Sequence, residues 1–245
     1  MEAQDGMRRC LYRYLGRVDY AEGVALQEAC ARHLREGSGE ERLLLLEHPP
    51  VITLGRNARA EEILVDPEAL RALGITVART DRGGRVTYHG PGQLVGYPIL
   101  NLSPDRRDVG RYLRDLEEVL IRTLARFGVA ADRKPGLTGV WVAEEKIAAI
   151  GVHLARWVTT HGFALNVATD LSHFDLIVPC GLRARDIASM HRILGRPVTV
   201  EEVAAALVPE FATVFGREMV EGEVVPVRGE PGSLEGATLS ARGGL

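Results

Sequence analysis

The sequence predicts an α/β (α+β) fold, a mixed sheet flanked by helices within one domain. Three segments, Tyr20–Arg35, Asp108–Phe127 and Val200–Phe215, carry apolar residues at helical spacing. Between them lie short apolar or alternating runs, too short for helices and cut by Gly and Pro. Helices interspersed with strand meanders, with no internal repeat, call for a sheet with helices packed on it. The 245 residues are 46% hydrophobic and 26% charged, enough to bury a sizeable core.

Cys10–Val18 alternates apolar and polar residues and predicts the first strand. Asp19 then caps a helix over Tyr20–Arg35, with Val24, Ala25, Ala29 and Leu34 on one side and Gly37 as its stop. Leu43–Glu47 and Val51–Leu54 predict two strands broken by Pro49-Pro50. Pro67–Leu73 predicts a short helix capped by Asp66 and ended by Gly74. Ile75–Arg79 and Arg85–His89 predict strands joined across Gly83-Gly84, followed by Leu94–Leu100. Asp108–Phe127 is the clearest amphipathic helix, with Tyr112, Leu113, Leu116, Leu120 and Leu124 on one face. Gly139–Ala143, Lys146–Arg156 and Val158–Val167 predict a run of strands, and Thr199 caps a closing helix over Val200–Phe215. Composition turns to Gly, Glu, Pro and Val from about Gly216. The expected organisation is therefore a single catalytic domain over 1–216 and a flexible tail over 217–245.

Thirty Lys+Arg against thirty-three Asp+Glu leave a formal net charge of −3, with no basic surplus for nucleic acid. Charged residues cut every long apolar stretch, so no membrane span is expected, and the N-terminus lacks an apolar signal region. A soluble cytoplasmic protein is the expectation. Cys10, Cys30 and Cys180 are too few and too scattered for a disulfide framework or a zinc cluster. Of the 30 basic residues only Lys134 and Lys146 are lysines. Where arginine is written almost everywhere, a lysine marks a place where guanidinium would not serve.

The densest chemical signal runs from Arg82 to Gln93, RGGRVTYHGPGQ. Four glycines permit unusual backbone angles and bring bare peptide groups to a ligand. A Gly-Gly hairpin followed by a Pro-Gly turn accounts for the local spacing equally well.

This stretch, with Leu94-Val95-Gly96-Tyr97 after it, closely resembles the signature of the lipoyl(octanoyl) transferases, the lipoate-protein ligase B family. The resemblance continues through Glu145–Gly151 (EKIAAIG), His161–Val167 (HGFALNV) and Val178–Gly181 (VPCG), and covers roughly Tyr12 to Phe215. It implies the biotin/lipoate protein ligase-like fold. It also implies transfer of an octanoyl group from octanoyl–acyl carrier protein to a lysine of a lipoyl domain, the first step of endogenous protein lipoylation. The acceptors implied are the lipoyl domains of 2-oxoacid dehydrogenases and the glycine cleavage H protein. No cofactor is implied, and the histidine spacings match no zinc pattern.

By the same resemblance Cys180 is the nucleophile that carries the acyl thioester, while Cys10 and Cys30, in a strand and a helix pattern, read as core filler. A free thiol with pKa near 8.5 is only a few per cent thiolate at neutral pH, so a neighbouring cation or base is needed. Lys146 fills that role, as an ammonium beside the thiolate and as an amine able to take a proton, which arginine cannot do. Lys134 reads as solvated surface. The resemblance assigns the substrate pocket to Arg82, Gly83, Gly84, Arg85, Val86, Thr87, Tyr88 and His89, with Ala149, Ile150 and Gly151, and with Gly162, Phe163 and Ala164. Small residues from three segments leave a tunnel for an eight-carbon chain, and backbone N–H groups near Cys180 hold the oxyanion. Arg82, Arg85, Arg156 and Arg183 are candidates to meet acidic protein partners. Two other functions stay open: an ATP-dependent lipoate-protein ligase on the same fold, and a non-catalytic acyl or lipoyl-domain binding module.

Overall fold

A computed structural model describes residues 7–178 and 186–223. The chain starts with β1 (Arg8–Arg17), α1 (Tyr20–Arg35), β2 (Glu41–Glu47) and β3 (Val51–Leu54), then α2 (Pro67–Ala72), β4 (Thr76–Arg79), β5 (Val86–His89) and β6 (Gln93–Ile99). It continues through α3 (Val109–Arg126), β7 (Asp132–Lys134), β8 (Leu137–Val142), β9 (Glu145–Ala155) and β10 (Val158–Asn166). It closes with α4 (Met190–Leu194), α5 (Val200–Phe215) and β11 (Arg217–Glu221). Among the described residues the strands form an eight-stranded sheet, β11-β1-β2-β6-β10-β9-β8-β7, and a three-stranded one, β4-β3-β5. In the large sheet β1 runs parallel to β2 and β11 while the other pairs are antiparallel, so it is mixed as expected.

The four consecutive leucines of β2 show why the large sheet needs helices on both faces. Leu43 and Leu45 pack with Tyr112, Leu116 and Leu120 of α3 and Leu207 and Phe211 of α5. Leu44 and Leu46 point the other way, toward α1, with Ala31, Val95 and Ile99. A third cluster, Ile52, Leu54, Tyr88, Phe174 and Ile187, fills the space beneath the small sheet. The helix starts follow their caps: Asp19 accepts from the Ala21 N–H, Asp108 from Arg111, and Thr199 forms a reciprocal box with Glu202. No helix among the described residues is long and apolar enough to cross a membrane.

Pro49-Pro50 breaks the chain between two strands as expected, and those strands belong to different sheets, β2 to the large one and β3 to the small one. Two expectations are corrected. First, β4 and β5 are not hairpin partners. They flank β3, one parallel and one antiparallel, and Gly83 between them reaches across to the large sheet instead. There the Gly83 N–H donates to the Val152 carbonyl at 2.8 Å. Second, the body does not end at Gly216. Gly216 turns the chain at φ 60°, and β11 then pairs in parallel with β1. Arg217 is 4% exposed and its Nε sits 2.5 Å from Glu41 Oε2, a buried ion pair that ties this edge to β2. The remainder of the expected tail, 224–245, lies outside the described residues.

Candidate active site

Strands β6, β9 and β10 and the segment from Arg82 to His89 form a cavity of about 840 Å³ counted with its open mouth. Arg82, Gly83, Gly84, Arg85, Val86, Thr87, His89, Ala149, Ile150, Gly151, Gly162, Phe163, Ala164 and Lys146 all line it. Tyr88 does not. It is 1% exposed and packs on Phe174 in the third apolar cluster, because alternation along β5 aims it away from its neighbours Thr87 and His89. Arg82 is not a surface arginine either. It is 8% exposed, and its Nη2 donates to the Thr53 carbonyl at 2.9 Å and hydroxyl at 2.7 Å. Arg85 is half-exposed and salt-bridged to Glu62.

Lys146 is the second residue of β9, and its Nζ lies 5.5 Å from the centre of the Trp141 ring. Its side chain occupies space that Gly139 leaves empty. A Cβ on Gly139 would collide with Lys146 Cε and stand 3.1 Å from Nζ, and the glycine adopts φ +128°. The main chain at Lys146 is pinned from the other side, where its carbonyl accepts from the Ala188 N–H at 2.9 Å. Ile187, bridged to Lys146, lines the cavity beside it. Cys180 lies outside the described residues. Of the other cysteines, Cys10 is fully buried, and burial pushes both its thiol and that of Cys30 upward, which keeps them protonated and inert.

A chain of buried amides forms one wall. Gln93 Nε2 donates to Asn166 Oδ1 at 2.9 Å, and Asn166 Nδ2 donates to the Ala188 carbonyl at 3.0 Å. Gln93 Oε1 lies 2.7 Å from His89 Nδ1, so that nitrogen carries the proton. Burial, then the charges around it, drives His89 down to about 3, and the ring is neutral at physiological pH. Tyr20, Tyr97 and His161 line the cavity as well. The His48 ring donates Nδ1–H to the Val18 carbonyl at 2.7 Å, which leaves Nε2 to accept from the Tyr97 hydroxyl at 2.7 Å. His161 interrupts β10 with a left-handed backbone, φ 57°. Its N–H goes to Gln27 Oε1 at 2.6 Å and its Nε2–H to Asp81 Oδ1 at 2.7 Å. Such strain in a non-glycine is held only where surrounding bonds over-determine it.

A model of the lipoyl protein ligase A/B catalytic domain matches residues 19–212. An octanoyltransferase of Solibacter usitatus is 55% identical over 216 residues, covering 88% of this chain and 97% of its own. The chain belongs to the lipoyl(octanoyl) transferase family. An octanoyltransferase of Myxococcus xanthus is 52% identical over 86% of this chain, which spans 60% of that longer relative. Among solved structures, a lipoate-protein ligase A crystallised with ATP superposes with a TM-score of 0.76 at 22% identity, covering 89% of each chain. That likeness places this lipoyl(octanoyl) transferase family member on the lipoate/biotin ligase-like fold. Residues missing from the sequence-based pocket divide into two kinds. Gln93 and Asn166 lie inside the RGGRVTYHGPGQ and HGFALNV motifs, near residues that the resemblance assigns to the pocket. Tyr20, Phe174 and Ile187 come from distant segments whose approach only the tertiary fold brings about.

Proposed function

We infer that this chain is an octanoyltransferase of protein lipoylation working by cysteine acyl transfer. The observation that carries the reading is a cavity walled by Ala148, Ala149, Gly151, Gly162 and Ala164, with an amine, Lys146, in the same wall beside Ile187. Small residues leave room for an unbranched acyl chain, and the amine supplies what a thioester relay needs. Chain order supports the role of Cys180, which falls between Val178, bonded to the Glu62 carbonyl at 2.8 Å, and the 186–188 segment that pairs with Lys146.

The route runs in two half-reactions. The Cys180 thiolate attacks the carbonyl of octanoyl–acyl carrier protein, a new C–S bond forms, and the carrier thiolate leaves with a proton from the Lys146 ammonium. The lysine amine of a lipoyl domain, from a 2-oxoacid dehydrogenase or the glycine cleavage H protein, then attacks the thioester. Neutral Lys146 takes the proton that the amine loses, the C–S bond breaks, and Cys180 leaves as thiolate. Thioester exchange is nearly balanced and amide formation is downhill, so neither half-reaction calls on ATP. Both partners are proteins met in the cytoplasm.

Intact mass after incubation with octanoyl–acyl carrier protein, without ATP, tests the route. The mass rises by one octanoyl group in the native protein and stays unchanged in Cys180→Ala. An adduct mapped to Cys10 or Cys30, or amide formation only when ATP is added, would overturn it.

A further inference from the structure

The chain has 28 arginines and two lysines, and both lysines meet on one indole. Lys134, the last residue of β7, holds its Nζ 4.4 Å from the centre of the Trp141 ring, and Lys146 holds its own 5.5 Å from the same centre. The ladder brings them there. Trp141 on β8 pairs with Asp132 of β7 on one side and with Lys146 of β9 on the other. Trp141 is buried, and Lys134 is half-buried rather than the solvated residue its loop-like sequence suggested. Its outer contact is Glu144 at 2.7 Å, a carboxylate 94% exposed to solvent.

We propose that Lys134 is a positioning residue for acyl transfer: held on the Trp141 ring, its ammonium biases Lys146 toward the neutral amine that accepts the proton of the attacking lysine. The proposal rests on the reading of Lys146 as the acid/base group. Two effects act in one direction. A ring that already faces one cation has less negative potential to offer a second. The two nitrogens also lie within about 10 Å of each other, where like charges still repel measurably.

The other charged groups around Lys146 are mostly matched. Glu145 beside it is held by Arg192 of α4 at 2.5 Å, and Glu117 of α3 is held by Arg133 at 3.2 Å while it accepts from the Gly139 N–H. Asp186 precedes Ile187 on the segment bridged to Lys146, and Cys180 lies outside the described residues. Glu144 cancels part of the Lys134 charge from the solvent side. The expected shift of Lys146 is therefore modest, about 0.3–1 pH unit, which changes the free-amine fraction at neutral pH roughly two- to tenfold.

The lysine count makes the test direct. Protein labelled with ¹³C only at lysine side chains gives two sets of signals, and Lys146→Arg assigns them by deletion. In the native enzyme the Lys146 signal titrates below the ordinary lysine value of about 10.4. Lys134→Gln moves that titration up by about 0.3–1 unit, moves the pH profile of amide formation with it, and Lys134→Arg restores both. An unchanged Lys146 titration in Lys134→Gln, or an equal shift in Lys134→Arg, overturns the proposal. Full-rate amide formation by Lys146→Arg would sink the acid/base reading, and the proposal with it. That outcome is distinguishable, because the dependence of the Lys146 signal on Lys134 would persist.

Discussion

Replacing Gly139 with alanine tests whether the seat of Lys146 is built as described. The residue sits at φ +128°, with its N–H donated to Glu117 Oε1 at 2.9 Å. A methyl there collides with Lys146 Cε and stands 2.6 Å from the Ala148 carbonyl oxygen. Alanine at such a φ costs about 1–3 kcal/mol, and overlap with a backbone oxygen adds roughly 1–3 kcal/mol. The sum, about 2–6 kcal/mol, lowers Tm by roughly 4–24 °C for a chain of this size. Well below that Tm the folded enzyme holds Lys146 displaced. A base moved by about an ångström loses something like 10²-fold in the step it serves. The assay is single-turnover formation of the acyl-enzyme, followed by a chase with apo lipoyl domain. Gly139→Ala should lose most of the second step, approaching the loss in Lys146→Ala. A variant with lowered Tm and full-rate amide formation would refute the seat, and one with unchanged Tm would refute the strain.

Lys146→Arg keeps a cation but removes the proton acceptor, so acyl-enzyme should accumulate while amide product falls by about 10²–10⁴-fold in the same two-stage assay. His89 has a folded pKa of about 3, depressed by burial, against an unfolded value near 6.5. Its contribution is intact above the unfolded value and is lost as pH falls toward the folded one, at up to about 1.4 kcal/mol per unit. Urea midpoints at pH 7, 6 and 5 should therefore fall less steeply in His89→Gln than in the native protein; parallel profiles would show that His89 is not the buried neutral group. Truncation after Gly216 removes Arg217 from Glu41. Compared with a chain ending at Glu223 it should lose about 3 kcal/mol in urea unfolding, toward the low side because Arg8 stays 3.2 Å from Glu41. Equal stability of the two chains would show that β11 contributes nothing.

Local signals make α1, α2, α3 and α5 legible, whereas the five-residue α4 is too short to show a period. α3 was bounded to within a residue at each end, since its apolar face is strong and Asp108 caps it. The leucine run of β2 was equally plain. Pairing was not legible, because β4 and β5 are neighbours in sequence yet partners of β3, a choice made by the burial of Ile52, Leu54 and Val86 in one cluster. β11 escaped because Arg217-Glu218-Met219-Val220-Glu221 offers little apolar surface, and its anchor is an ion pair with a residue 176 positions away. At the site, motif resemblance supplies most of the cavity wall but not the direction of each side chain, so it includes Tyr88. The sequence around Lys134 reads as surface because nothing local announces that β7 will lay it on Trp141.

The parallel edge formed by β1 and β11 bears on the order in which the protein is made. During synthesis the N-terminal strand emerges first and waits for its outer neighbour until nearly the whole chain has followed. Every described residue that walls the cavity, from Tyr20 to Ile187, is translated before Arg217. A nascent chain can thus gather its substrate pocket while one flank of the sheet is open to the ribosome surface and to chaperones. Arrival of Arg217 at Glu41 then closes that flank, which makes β11 a seal on a finished catalytic body rather than part of its assembly.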